Sequence, residues 1–347
     1  MADFIYQCAE CGKTFQQDEV TYLCPFCAKD WKPGEPLKGV LEAIFDYEKI
    51  KKQLDKENPD WSLFSAVDPK YYPNYAVGNT PFTKADGLNP SGSLKDRASF
   101  LMVAEANRLN KNDIVAASTG NAASALAAVC AAAGKRAIIF APATAPKAKL
   151  TQILQYGAEL KAVNGTYDDA FKLSIEYSKK HGVLNRNTAY HPLTIEGKKT
   201  VGLEIFEQNK FKVPEAIIVP VGDGVIIAGV YKAFYDLKEA GFIDHLPKLI
   251  CVQAENSDAI HRFIETGEYH DAKNPKTIAD SISVTTPSNA YLARRAVKKS
   301  GGFSVTVTDD EILKAQTLLA STTGIFAEPA AAATVASLKK VRNSLSS

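Results

Sequence analysis

The sequence predicts an α/β protein with two lobes built on parallel-rich sheets, preceded by a small cysteine-bearing module. Three observations lead there. From Asp113 onward, short apolar runs alternate with helical patterns, as βαβ units require. That alternation falls into two blocks separated by residues 185–192, one block for each lobe. Four of the six cysteines stand as two CxxC pairs at the front of the chain. The length of 347 residues accommodates about two domains and a small appendage.

Taken in order, Cys8-Ala9-Glu10-Cys11-Gly12 and Cys24-Pro25-Phe26-Cys27 each set two thiols on a tight turn. Together they supply four thiolates to a tetrahedral Zn²⁺, the pattern of a zinc ribbon. Four ligands leave no open coordination position, so such a metal is a staple and not a catalyst. A redox dithiol is the competing reading of the pairs. Nucleic-acid binding is the competing role of a ribbon, and the carboxylates of Glu10, Asp18, Glu19 and Asp30 argue against it. Lys32-Pro33-Gly34-Glu35-Pro36 reads as a linker. Residues 40–50 read as a strand and turn, 50–56 as a short helix, and 60–72 as an irregular aromatic packing segment.

The loop Asn89-Pro90-Ser91-Gly92-Ser93-Leu94-Lys95-Asp96-Arg97 precedes a helical pattern beginning near Ala98. Its Asn-Pro and Ser-Gly steps favour turns, so a lysine at its end is aimed with little freedom. In an apolar pocket, or beside a second cation, such an amine loses basicity and can condense with an aldehyde. The plainer reading is a solvated helix start with Ser93 as N-cap.

Beyond the loop, the pattern predicts strands over 113–118, 136–141 and 159–163 and helices over 121–133 and 166–180. Gly134 ends one helix, and Pro146 opens another as an N1 proline would. The second block predicts helices over 196–209 and 225–240 and strands over 216–220 and 249–254. After a broken region, 304–307 reads as a strand. Asp309 or Asp310 caps a helix from Glu311, and Glu328-Pro329 opens a last Ala-rich helix.

Charge and composition exclude several partners. The chain has 41 basic and 39 acidic residues, for a net charge of +2, without a basic block. Nothing in this balance points to nucleic acid. The longest apolar run, 122–133, is too short to span a bilayer. The N-terminal residues lack a basic and apolar leader, so they do not read as a secretory signal, and a cytoplasmic chain is expected. Cys130 and Cys251 read as small core residues, and the five histidines show no metal-ligand spacing.

Two strand-to-helix junctions carry glycine and small polar residues: Ser118-Thr119-Gly120-Asn121-Ala122 and Pro220-Val221-Gly222-Asp223-Gly224-Val225. In a parallel sheet both open at the carboxyl edge, where helix N-termini offer N–H groups to an anion. The Gly222–Gly224 turn is the natural phosphate cradle. A dinucleotide fingerprint is absent, because the third glycine arrives only at Gly229, and there is no P-loop lysine either.

The lysine loop, the Ser118-Thr119-Gly120-Asn121 turn, the Gly222–Gly224 turn and Gly324-Ile325-Phe326-Ala327-Glu328-Pro329 together resemble the threonine synthases. These are fold type II pyridoxal-phosphate enzymes, and the cysteine ribbon resembles that of the archaeal form. The resemblance runs from Cys8 almost to the end. It implies three units: a ribbon and linker at 1–38, a large cofactor-binding lobe at 39–96 and 189–347, and a small α/β lobe at 97–188. It implies that Lys95 holds pyridoxal 5'-phosphate as a Schiff base and later shuttles protons. Asn121 would bond the ring hydroxyl. Gly222, Asp223, Gly224, Val225 and Ile226 would hold the phosphate through backbone N–H groups, and Ser118, Thr119 and Ala122 would receive the substrate carboxylate. Cys8, Cys11, Cys24 and Cys27 would hold structural zinc. The implied reaction is conversion of O-phospho-L-homoserine and water to L-threonine and phosphate by a monomer or homodimer.

Three departures accompany the resemblance. The family commonly carries an arginine just before its Glu-Gly pair to clamp substrate phosphate. Here the stretch reads His191-Pro192-Leu193-Thr194-Ile195-Glu196-Gly197, leaving Arg186, Lys198 or Lys199 as substitutes. The interval from Thr80 to the lysine loop is short, and the chain stops at Asn343-Ser344-Leu345-Ser346-Ser347 before a terminal Thr-containing motif. The alternatives are a related enzyme, such as a cysteate synthase or a serine/threonine ammonia-lyase, and a non-catalytic scaffold that binds partners.

Overall fold

The computed structural model describes residues 4–80 and 89–345; the short interval after Thr80 lies largely outside the described residues. Strands β1 (Phe4–Cys8), β2 (Thr14–Phe15) and β3 (Leu41–Phe45) form an antiparallel sheet in the order β2-β1-β3. Phe4, Tyr6 and Cys8 alternate inward along β1, as the two-residue strand period demands. Phe4 pairs with Phe45 and Cys8 with Leu41, so the N-terminal sheet runs on past the linker. Helix α1 (Tyr47–Gln53) follows, capped by Asp46, whose carboxylate accepts from Lys49 N at 3.0 Å.

The chain then alternates through α2 (Lys95–Arg108), β4 (Asp113–Ala117), α3 (Asn121–Ala132), β5 (Arg136–Pro142), α4 (Lys147–Gln155), β6 (Glu159–Val163), α5 (Tyr167–His181) and β7 (Leu184–Asn185). These strands form a parallel sheet in the order β6-β5-β4-β7. The second block comprises α6 (Leu193–Gln208), β8 (Ala216–Pro220), α7 (Val225–Glu239), β9 (Lys248–Ala254), α8 (Ala259–Thr266), α9 (Ala290–Lys299), β10 (Ser304–Val307), α10 (Asp309–Thr323) and α11 (Pro329–Leu345). Its sheet is also parallel, in the order β10-β9-β8. The α/β class and the two parallel sheets stand as the alternation implied.

Several boundaries differ for local reasons. Helix α2 starts at Lys95 itself, three residues before the expected point. Pro146 is the N-cap of α4 and not its first helical residue. Thr308 caps α10, with Glu311 bonding back to complete a capping box, so neither Asp309 nor Asp310 is the cap. The region read as broken contains α8 and α9, both short and amphipathic.

Helices α2, α6 and α7 pack through a narrow seam. A Cβ on Gly197 of α6 would lie 2.4 Å from the carbonyl oxygen of Arg97 on α2, so only glycine permits this approach. On another face of the same turn, Lys199 Nζ contacts Glu196 Oε2 at 2.5 Å and Asp236 Oδ2 at 2.9 Å, and donates to the Phe64 carbonyl at 2.8 Å. Lys232 of α7 pairs with Asp236, and Tyr47 donates to Asp236 Oδ1 at 2.6 Å. The Phe45 ring lies beneath both ammonium groups, 4.2 Å from Lys199 and 5.0 Å from Lys232. Two buried cations thus face two buried anions. Burial pushes the Asp236 carboxyl up, but Lys199 and Lys232 more than reverse this and leave it below the ordinary range.

The stability Asp236 contributes is present above the ordinary aspartate pKa of ~3.9 and is lost as pH falls through its lower folded value. Asp236→Asn strands a buried cation, and we expect a loss of about 3–5 kcal/mol at pH 7. Urea denaturation checks this: a midpoint equal to that of the unsubstituted chain would refute the role given to the quartet.

Candidate active site

Lys95 is positioned by its two neighbours. Asp96 accepts from Ser91 N at 2.8 Å and also bonds the Ser91 hydroxyl, which ties the loop to the first turn of α2. Arg97 makes a bidentate pair with Glu204 of α6, Nη1–Oε1 at 2.7 Å and Nη2–Oε2 at 2.8 Å, and donates to Thr200 Oγ1 at 3.0 Å. Glu204 also accepts from Asn79 N at 2.8 Å, and Asn89 Oδ1 accepts from Gly78 N at 2.9 Å. Ser93 Oγ accepts from Lys95 N at 3.2 Å. The loop is held on several sides, and the half-buried Lys95 lines a cleft of about 880 Å³.

The same cleft is lined by Ser118, Thr119, Gly120, Asn121 and Ala122 at the start of α3, and by Asp223 before α7. The structure therefore brings together Lys95, the predicted carboxylate loop and, from the second junction, Asp223 alone. Gly222, Gly224, Val225 and Ile226 do not line the cleft; they lie behind Asp223 at the head of α7. Gly224 is the N-cap, with φ +86°, and a Cβ there would stand 2.9 Å from the Asn289 carbonyl. The first N–H groups of α7 have no intrahelical acceptor and receive the positive end of the helix dipole.

Two predicted polar side chains have protein partners. Asp223 Oδ1 accepts from Ser288 N at 3.1 Å and Ser288 Oγ at 3.0 Å, which pins the cleft wall over 281–288. Asn121 Nδ2 donates to Glu328 Oε1 at 3.1 Å. That wall, the linker residues Trp31 and Glu35, Tyr167 and Glu328 all line the cleft, and none was singled out as a site residue. The Thr-Thr-Pro-Ser run at 285–288 was the available signal, a polar turn cluster inside an α/β chain.

Two further cations are buried, one bonded to α2 and one on α6. Arg186 and Lys198 are both fully buried. Arg186 donates from Nε to Ser99 Oγ at 3.2 Å, while its Nη2 has no hydrogen-bond partner. Burial lowers the Arg186 pKa to about 10. Burial, together with the charges of Arg186 and Lys95, holds the Lys198 ammonium well below its usual range. Lys199, the third candidate for the phosphate clamp, is engaged in the buried quartet. His191 is also buried: its Nδ1 accepts from Leu193 N at 3.2 Å, and burial lowers its pKa to about 3, so the ring is neutral.

At the other end of the linker, the sulfur atoms of Cys8, Cys11, Cys24 and Cys27 all lie within 4.8 Å of one another. Cys8 and Cys27 are 3.8 Å apart, as are Cys11 and Cys24. A tetrahedron with Zn–S arms of about 2.3 Å has edges of about 3.8 Å. The module docks through Tyr22, whose ring stacks on Tyr190 at 4.6 Å and whose hydroxyl accepts from Asn185 N at 3.1 Å.

A primary amine, a carboxamide and the N-terminus of α3 around one cleft are a donor set that suits a phosphorylated aldehyde. Similarity to known proteins agrees with that chemistry. Residues 72–347 match the family described as pyridoxal-phosphate dependent enzyme. A threonine synthase from Methanosarcina acetivorans is 36% identical, covering 96% of this chain and 86% of that protein. One from Methanocaldococcus jannaschii is 35% identical over 97% of this chain and 87% of the relative. Among solved structures, a threonine deaminase from T.th. aligns with TM-score 0.64 at 25% identity, over 75% of this chain and 82% of that one. With a lysine-bearing cleft between two parallel sheets and this breadth of similarity, the chain belongs to the pyridoxal-phosphate dependent enzymes.

Proposed function

We propose that the chain converts O-phospho-L-homoserine and water to L-threonine and phosphate. The observation that carries the reading is Lys95 on the cleft shared by residues 118–122 and Asp223, in a chain similar over nearly its whole length to threonine synthases. Pyridoxal phosphate, when bound, supplies an electron sink that makes protons on the substrate carbons removable. Lys95 Nζ is the amine that would hold the cofactor's aldehyde carbon. As a free amine lining the cleft, the same Nζ would accept and return protons on the substrate carbons. In the net reaction the Cγ–O bond breaks and phosphate departs. Water supplies the hydroxyl at Cβ, which gives up one hydrogen; Cγ gains a proton, and the remaining proton leaves with phosphate.

In this reading Asn121 faces the cofactor ring hydroxyl, exchanging its bond to Glu328 for that contact. Gly222, Asp223, Gly224, Val225 and Ile226 offer backbone N–H groups to the cofactor phosphate, and Ser118, Thr119 and Ala122 receive the substrate carboxylate. The cleft then lies between a large lobe at 39–96 and 189–347 and a small lobe at 97–188. The reading extends to a monomer or homodimer that acts in the cytoplasm on a small amino acid, with no nucleic-acid partner. Among the described residues no helix is long and apolar enough to cross a membrane. Zn²⁺ on Cys8, Cys11, Cys24 and Cys27 completes the reading as a structural staple, supported by the 3.8 Å sulfur spacings.

The direct assay is phosphate release from O-phospho-L-homoserine by the purified holoenzyme, run against O-phosphoserine with sulfite. Turnover of the second substrate alone would replace this reading with a cysteate synthase. Lys95→Ala should keep the circular dichroism of the native fold and lose turnover by at least ~10²-fold; turnover at the native rate would remove the mechanism. Cys11→Ser should lower bound zinc and the thermal midpoint together, while kcat of the folded fraction stays near normal. Metal content equal to that of the unsubstituted chain would refute the staple.

A further inference from the structure

The cysteine ribbon reaches the cleft through a short relay of hydrogen bonds. Glu10, between the first pair of cysteines, accepts from Gly39 N at 3.0 Å. The Gly39 carbonyl accepts from Cys24 N at 2.8 Å, and Ala9 N donates to the Val40 carbonyl at 3.0 Å. Gly39 has φ +74°, and a Cβ there would lie 3.0 Å from Cys24 Cβ. The strap leaving the ribbon is thus seated against both cysteine turns, in a conformation that favours glycine. Two residues earlier, Leu37 N donates to the Ser288 carbonyl at 2.8 Å. Ser288 and Asn289 then hold the turn before α7. Ser288 bonds Asp223 Oδ1, Asn289 N donates to the Asp223 carbonyl at 3.0 Å, and Asn289 Nδ2 donates to the Gly224 carbonyl at 3.3 Å. Asn289 is buried and lines a small cavity with Ala9, Glu10, Leu37 and Val40, so it stands between the ribbon and that turn.

We propose that Ser288 and Asn289 are positioning residues through which the ribbon orders one wall of the cleft, so that zinc in the ribbon and pyridoxal phosphate in the cleft each tighten the binding of the other. This rests on the zinc and cofactor readings above and is independent of the amino-acid substrate. The cause is entropic. A small cysteine module folds with its metal, because little else holds its thiolates together. Without that metal, Glu10 and Cys24 no longer fix Gly39, and the strap over 37–40 gains freedom. The Ser288 carbonyl then loses a fixed donor, and the turn that Ser288 and Asn289 brace samples more conformations. Asp223, Ser288 and Leu37 line the same cleft as Lys95, so this wall faces the amine. A cofactor entering the cleft must order a loose wall as it binds, whereas a metal-loaded ribbon has ordered it already. Such coupling is reciprocal by thermodynamic necessity.

The test titrates pyridoxal phosphate into the cofactor-free full chain, read by absorbance, with the ribbon zinc-loaded and zinc-stripped. Zinc affinity is measured in parallel, by competition with a chromophoric chelator, with and without the cofactor. Zinc should tighten cofactor binding by about tenfold, and the cofactor should tighten zinc by the same factor. Glu10→Ala keeps all four cysteines and removes the acceptor for Gly39 N; with zinc bound, it should hold the cofactor about as weakly as the stripped chain. Glu10→Gln keeps an acceptor oxygen and should recover most of the affinity. Asn289→Ala should bring the coupling factor close to one while zinc content stays full; full coupling in that variant removes the positioning role. A ribbon that is only a staple would lower the thermal midpoint on stripping and leave the cofactor Kd unchanged, and that result overturns the proposal. Native cofactor affinity in zinc-bound Glu10→Ala overturns it too, and this measurement decides the matter if stripping unfolds the chain. A chain that binds no zinc refutes the staple and the coupling together. A chain that binds zinc and cofactor but does not turn over O-phospho-L-homoserine loses only the functional reading.

Discussion

Four consecutive residues, Glu196 to Lys199, set the geometry on which the rest of the molecule depends. They occupy barely more than one turn of α6, and each faces a different requirement. Glu196 and Lys199 enter the buried charge quartet that joins α6 to α7, to the Phe64 carbonyl and to the aromatic shelf of Phe45 and Tyr47. Gly197 lets α2 come within van der Waals contact. Lys198 is fully buried, and burial with the charges of Arg186 and Lys95 lowers its pKa. Because successive helical residues are about 100° apart, one turn can serve three neighbours at once. It leaves almost no substitution free of consequence.

The Lys95-Asp96-Arg97 triplet follows the same logic. Asp96 and Arg97 commit their charges to Ser91 and to Glu204, so their work is mechanical. The lysine between loop and helix is thereby aimed into the cleft. A short exposed loop would cost precision, since each unrestrained residue retains conformational entropy. Here the restraint comes from α6, again through Thr200 and Glu204.

Much of this was legible in the sequence, for physical reasons. The alternation of buried strands and helices carries its own periodicity, and the CxxC pairs and the lysine loop are local signals. What escaped was long-range or amphipathic at short length. Asp223 reads as a turn former, but its oxygen accepts from Ser288, 65 residues away. Asn121 reads as a helix start, yet its amide reaches Glu328 across 207 residues. Helices α8 and α9 span eight and ten residues between loops rich in Asn, Ser and Pro, too short for their apolar faces to stand out. Arg186 is polar in an ordinary loop string, and nothing local announces that the fold buries it and leaves one nitrogen unpaired.

The N-terminal module is joined to the catalytic body by more than a tether. Leu37 N bonds the Ser288 carbonyl at 2.8 Å, Ser288 is gripped by Asp223, and Trp31 and Glu35 form part of the cleft rim. The first forty residues are therefore a lintel over the doorway. Exchanging them for another module would remodel the entrance as well.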